Sequence, residues 1–236
     1  MTTSILKIKA LAGLLLAVAC SASAATYTNV PGGANNGLPF ASFGNAGNPS
    51  GDSPKVGEVF SFTEASTLSS FSFYAIGQTA ASLQLNVAQW NPDTNAQNQA
   101  TNLVGANLLT TTVSAVESFN STTGVTTLAF GNLNLSLNAG TKYIAYITSD
   151  DASVTGLQLS RTQTAQDVTG FGIGHAYLST IPGQGWQLPF GGSGFLSLQY
   201  TAETAAIPEP STYAAILGVA TLGFVALRRK QKQVQA

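Results

Sequence analysis

Apolar residues follow three patterns along this 236-residue chain. Ala10 to Ala19 is a short continuous apolar run, and Tyr213 to Leu227 is a longer one. Between them, apolar and polar positions alternate in short runs separated by turn residues. Residues 31–57, PGGANNGLPFASFGNAGNPSGDSPKVG, are rich in turn formers and show no helical period, so an irregular entry segment is expected there. Period-two runs then follow: FSF (60–62), LSSFSFYA (68–75), LQLNV (83–87), LNLSL (133–137), LQLS (157–160) and FLSLQY (195–200). In LQLNV the leucines and the valine share one face, and Gln84 and Asn86 the other. LNLSL is followed by the turn Asn138-Ala139-Gly140, and YIAYIT (143–148) is apolar on both faces, as a central strand is.

Aromatic and β-branched enrichment without an amphipathic helix places the body in the all-β class, as an antiparallel two-layer β-sandwich. About eight strands also fit a jelly-roll, whose topology the pattern does not order. The run LNAGTKYIAYITSDDAS (137–153) resembles a late strand of other exported sandwiches. The mature part, about 180 residues, buries roughly 70% of its unfolded surface and needs no covalent staple. The sole cysteine, Cys20, lies in the leader, so the body forms no internal disulfide.

Charge is sparse, 8% of residues, and unevenly placed. Lys7 and Lys9 precede the first apolar run, while Arg228, Arg229, Lys230 and Lys232 follow the last. Between them Lys55, Lys142 and Arg161 face all ten acids, a net charge of −7 for the middle of the chain, Ala25 to Glu209. Nucleic-acid affinity comes largely from Lys and Arg neutralising phosphates, so this composition excludes that class.

The N-terminus reads as a secretory signal peptide. Two lysines precede the apolar run, and Ala22-Ser23-Ala24 offers small residues one and three places before a cut after Ala24, with Ala25 as the alternative. An uncleaved anchor and lipidation at Cys20 are the competing readings. At the other end, a helix over Tyr213–Leu227 is roughly 22 Å long, below the ~30 Å hydrocarbon thickness, so it is a marginal permanent anchor. Its trailing cations stay cytoplasmic and leave the body outside the inner membrane. The expected organisation is a signal peptide (1–24), a Gly/Asn-rich entry segment (25–57), a β-sandwich (58–204), a linker (205–212), a single transmembrane helix (213–227) and a basic cytoplasmic tail (228–236).

Proline disfavours helix in the residue before it, so Ile207-Pro208-Glu209-Pro210 is extended and accessible. Pro208-Glu209-Pro210-Ser211-Thr212, the hydrophobic segment with Gly218 and Gly223, and Arg228-Arg229-Lys230 together resemble the PEP-CTERM sorting signal of Gram-negative bacteria. The likeness covers about the last thirty residues and says nothing of the body's fold. It implies that exosortase, a membrane protease-transpeptidase, recognises Pro208, Glu209 and Pro210 and removes the tail. It also implies partnership with the secretion machinery, transient membrane attachment, and release to the cell surface or to an exopolysaccharide biofilm matrix.

The body offers little catalytic chemistry. His175 is the only imidazole, and Gly191-Gly192-Ser193-Gly194-Phe195 lacks the final glycine of a nucleophile elbow. Gly170-Phe171-Gly172-Ile173-Gly174 has the wrong spacing for a dinucleotide fingerprint. Among the acids, Asp93, Glu117, Asp150, Asp151 and Asp167 are the glycosidase candidates, but scattered acids on an exported domain are expected on its solvated surface. Asp150-Asp151, just after a strand, are the candidate calcium ligands, while the Asp93 loop lacks the glycine and the final acid of an EF-hand. The expectation is a non-enzymatic protein with no cofactor beyond that calcium option. The alternative is a lectin-like glycan-binding sandwich, with Trp90 and Trp186, near His175 and Tyr177, as a stacking platform. Such a platform needs exposed indole faces; the opposing reading is that both tryptophans plug the ends of the core.

Overall fold

The computed structural model describes residues 24–30, 38–44, 52–79, 81–90, 104–111, 115–161, 172–178, 185–187, 198–206 and 217–225. The chain divides into a body, Ala24–Ala205, and a second unit formed by Met1–Ser23 with Ala206–Ala236.

Alternation in the body produces strands whose inward residues are large and apolar. The described strands are β1 (Ala24–Thr28), β2 (Leu38–Phe43), β3 (Val56–Ser61), β4 (Ser66–Ile76), β5 (Gln84–Trp90), β6 (Val104–Thr110) and β7 (Val116–Asn120). They continue with β8 (Val125–Phe130), β9 (Leu135–Leu137), β10 (Lys142–Thr148), β11 (Leu157–Arg161), β12 (Gly172–Leu178), β13 (Trp186–Gln187) and β14 (Tyr200–Ala206). They form two antiparallel sheets. One has eight strands along the path β1-β14-β4-β11-β2, with β8 and β9 also pairing β4, and β7 pairing β8. The other has six, in the order β13-β12-β3-β10-β5-β6.

The faces of the two sheets enclose one apolar core. Val56 and Phe60 of β3, Leu85 and Val87 of β5, and Tyr143, Ala145 and Ile147 of β10 meet Phe71, Phe73 and Ala75 of β4, Leu128 of β8, Leu159 of β11 and Tyr200 of β14. Phe60 and Phe71 make the contact between sheets, with ring centroids 5.7 Å apart. This is the expected two-layer antiparallel arrangement. YIAYIT is central, as its double-sided apolar pattern requires: β10 lies between β3 and β5 and is buried throughout its interior.

Two expectations need correction. The entry segment is not wholly irregular, because it carries β2 and begins with most of β1, and β3 starts at Val56 before the proposed boundary at 58. FLSLQY meets the described fold at two points: Leu198 makes an isolated bridge to Arg161, and Tyr200 opens β14. Its first three residues lie outside the described residues. Nor are all the acids on the solvated surface. Glu58 stands between Val56 and Phe60 on the inward face of β3, fully buried, and accepts a hydrogen bond from the Leu198 backbone N–H at 3.0 Å. Asp52, also buried, accepts from the Ser42 hydroxyl and from the Gly156 N–H.

One glycine is required by close approach. A Cβ on Gly57 would stand 2.1 Å from the Ala145 carbonyl oxygen and 2.6 Å from the Tyr146 Cβ. Only a bare backbone lets β10 lie this close with Tyr146 beside it.

Candidate functional site

The last strand of the body leads directly into the C-terminal segment, so the site is built from β14 outward. Antiparallel pairing runs from Ala24↔Ala205 to Thr28↔Thr201 between β1 and β14. Asn29, just past β1, replaces one further rung with its side chain. Its Nδ2 donates to the Leu198 carbonyl at 2.6 Å, and its Oδ1 accepts from the Tyr200 N–H at 2.8 Å. Its own N–H donates to the Tyr200 carbonyl. The amide is buried, and both its nitrogen and its oxygen are hydrogen-bonded, as polar atoms removed from water must be. The Thr28 and Tyr74 hydroxyls both meet the Thr201 hydroxyl, at 3.0 and 2.8 Å. Ser160 donates to the buried Gln199 amide oxygen at 2.6 Å, so the entry to β14 is held from three directions.

Beyond Ala206, residues 217–225 are helical, as the apolar pattern expects, with Leu217, Leu222, Phe224 and Val225 exposed. Among the described residues no helix is long and apolar enough to cross a membrane. The rest of the 213–227 span lies outside them, as do Pro208, Glu209, Pro210, Arg228, Arg229, Lys230 and Lys232. Of the signal-cleavage residues, Ala24 opens β1, and Ala22 lies outside the described residues.

With that geometry in place, comparison with known families decides what the segment is. Residues 206–230 match the PEP-CTERM protein-sorting motif. The chain carries a PEP-CTERM sorting signal. The matched span begins where β14 ends and takes in the Pro-Glu-Pro tripeptide, the helical segment and the first three of the four basic residues. A PEP-CTERM signal marks a protein that exosortase processes after export, through a membrane-anchored stage, to the cell surface. No curated protein and no solved structure matches the chain.

Trp90 and Trp186 do not supply the exposed indole faces that a lectin platform needs. Trp90 and Trp186 are 3% and 7% exposed, and neither presents a ring face to solvent. They meet edge to face, with centroids 6.4 Å apart, and Trp186 meets Tyr146 at 5.0 Å. With Val59, Ala88 and Ile144 they make a second small core on the outer face of the six-stranded sheet. The tryptophans therefore pack as the opposing reading held, though beneath the sheet's outer surface rather than at the ends of the main core. His175 and Tyr177 lie in β12, opposite Glu58 and Val56 in register; for this strand only the backbone is described.

Beside that second core runs a polar network that the sequence pattern did not reveal. Asn86 shares the outer face with Ala88 and Trp90, yet it is buried. Its Nδ2 donates to the Thr148 hydroxyl, and its Oδ1 accepts from Asn107 Nδ2 and from the Thr110 hydroxyl. Tyr146 Oη donates to Asn107 Oδ1 at 2.7 Å, and burial pushes this phenol's pKa up. Lys55 places its ammonium 5.6 Å from the Tyr146 ring centroid, within cation–π range. The members satisfy one another, so the network acts as a polar support for the sheet face.

The calcium candidates sit in the exposed loop after β10. Asp150 Oδ2 accepts from Gln84 Nε2, and Asp151 Oδ1 accepts from both the N–H and the hydroxyl of Ser153. Those two bonds hold the Asp151 pKa below its ordinary value. Among the described residues no group of three or more His, Cys, Asp or Glu side chains stands together. Of the other acids, Glu117 on β7 accepts from the Ala81 N–H, while Asp93 and Asp167 lie outside the described residues.

Proposed function

We propose that this chain is an exported, non-enzymatic protein of the cell surface or extracellular matrix, whose sandwich is a structural unit delivered by its C-terminal signal. The supporting observation is the sorting motif at 206–230, which follows the last strand of a self-contained β body without an intervening domain. On this reading the secretion machinery removes a signal peptide after Ala24. The apolar segment 213–227 then holds the protein briefly, with Arg228, Arg229, Lys230 and Lys232 on the cytoplasmic side. A span of about 22 Å suits a temporary hold better than a permanent anchor. Exosortase recognises Pro208, Glu209 and Pro210 and removes the tail, and the freed body joins the exopolysaccharide matrix. Nothing in this role requires a cofactor.

Intact mass of the protein recovered from cells and from the surrounding matrix tests the reading. The expected matrix species begins at Ala25, ends near Pro210, and carries on its new end the mass of any molecule joined there. Pro208→Ala and Glu209→Ala chains are expected to fold normally and accumulate as membrane-bound precursor. A membrane species that still carries Arg228 to Ala236 as the sole mature form, or normal release of both variants, overturns it.

A further inference from the structure

The bond at which the leader is expected to be cut lies inside a hydrogen-bonded ladder. Ala24 pairs with Ala205 and Ala25 with Thr204, so both candidate cleavage positions belong to the folded β1–β14 pair. A processing peptidase binds its substrate as an extended strand and needs that backbone free. In the folded body, the β14 ladder already occupies it.

The same pairing cannot form early. The Thr28 hydroxyl bonds to the Tyr200 carbonyl across 172 residues, and the buried Asn29 amide reaches Leu198 and Tyr200 across similar separations. The N-terminal strand leaves the membrane first and its only described partner leaves last. At about 5–20 residues per second, the interval is on the order of 10–30 s. Once seated, β1 is held by five backbone pairs, by the two-sided Asn29 amide, and by the Tyr27–Phe62 ring contact at 5.2 Å.

We infer that β1–β14 pairing is a timing clasp: it leaves the leader junction open throughout export and seals it once the final strand has emerged. Removal of the leader and completion of the body are thereby ordered, cut first and clasp second. A chain that folds with its leader still attached becomes a poor substrate and keeps the leader. Asn29 is the positioning residue of the clasp, because its side chain supplies both a donor and an acceptor to the incoming strand. The inference rests on the signal-peptide reading given above.

The test uses the full-length chain, folded in detergent and presented to purified signal peptidase, with cleavage read by mass. Wild type is compared with Asn29→Ala and with Tyr27→Pro. The Asn29 N–H faces β14 and alternate residues share its direction, so a proline at 27 removes a β1 donor to β14 and leaves the sheet behind it intact. Protection should follow the rarity of local opening, so wild type is expected to be cut about tenfold or more slowly than either variant. Equal, rapid cutting of all three at Ala24 or Ala25 overturns the clasp and leaves the signal-peptide reading standing. No cutting of any of them at either position overturns that reading, and the clasp with it.

Discussion

Asn29 and Trp186 show how single side chains close a fold that period-two alternation leaves open. Asn29 occupies a position where the ladder would otherwise end, and its amide offers a donor and an acceptor at backbone spacing. Trp186 covers the outer face of β3, β10 and β5, where alternation alone would leave Val59, Ile144 and Ala88 in water. Truncating so large a buried side chain removes packing and opens a cavity. Trp186→Ala is therefore expected to lower stability by about 3–5 kcal/mol, measured as a shift of the urea midpoint with little change in slope. A stability within about 0.5 kcal/mol of wild type would mean that the indole is not seated as described. Neither residue was legible for what it does. A tryptophan in a glycine-rich stretch looks the same whether it faces solvent or folds back over its own sheet, and an asparagine two residues before a proline looks like a turn. The difference lies in partners far along the chain, which no local pattern encodes.

Among the elements, legibility followed burial in most cases, β8 being a buried strand that the pattern did not mark. β10 has an apolar residue at nearly every position because both of its faces are covered, and β4 alternates because one face is. Both were recognisable for that reason. β6 and β7 were not, because as edge strands they bury little: Leu108, Val116 and Phe119 stay exposed, and most of their other residues are polar or small. β1 was hidden at the leader junction and β2 in turn-rich sequence, since their pairing rather than their composition makes them strands. β7 also carries Glu117, whose pKa is raised by partial burial and drawn back by the Ala81 N–H. A carboxyl whose folded pKa exceeds its unfolded one stabilises the fold while protonated, and that contribution is lost as pH rises through the folded value. The urea midpoint of wild type relative to Glu117→Gln should therefore fall as pH rises from about 4 to 7, by a small amount because the group is largely solvated. A difference that stays constant, or one that grows with pH, would contradict the environment assigned to this side chain.

Charge divides the whole molecule as clearly as structure does. Nine of the twelve charged residues of the body are acids, and the other six cations cluster beyond the apolar segments at either end. That division, with the tripeptide, made the sorting signal legible from sequence, because such a signal must be read as a linear segment by another protein. The body's fold has no such reader and was legible only as a class. Ala24 and Ala205 are cross-strand partners, so their Cα atoms stand roughly 5 Å apart at one end of the body. Joining them through a few added residues would close the backbone into a ring, and new termini cut at the exposed turn 121–124 should give a permuted domain that unfolds cooperatively at a urea midpoint near the parent's. Such a rearranged chain would carry its entry and exit points between β7 and β8, making the domain a carrier whose cargo attaches at a site of choice.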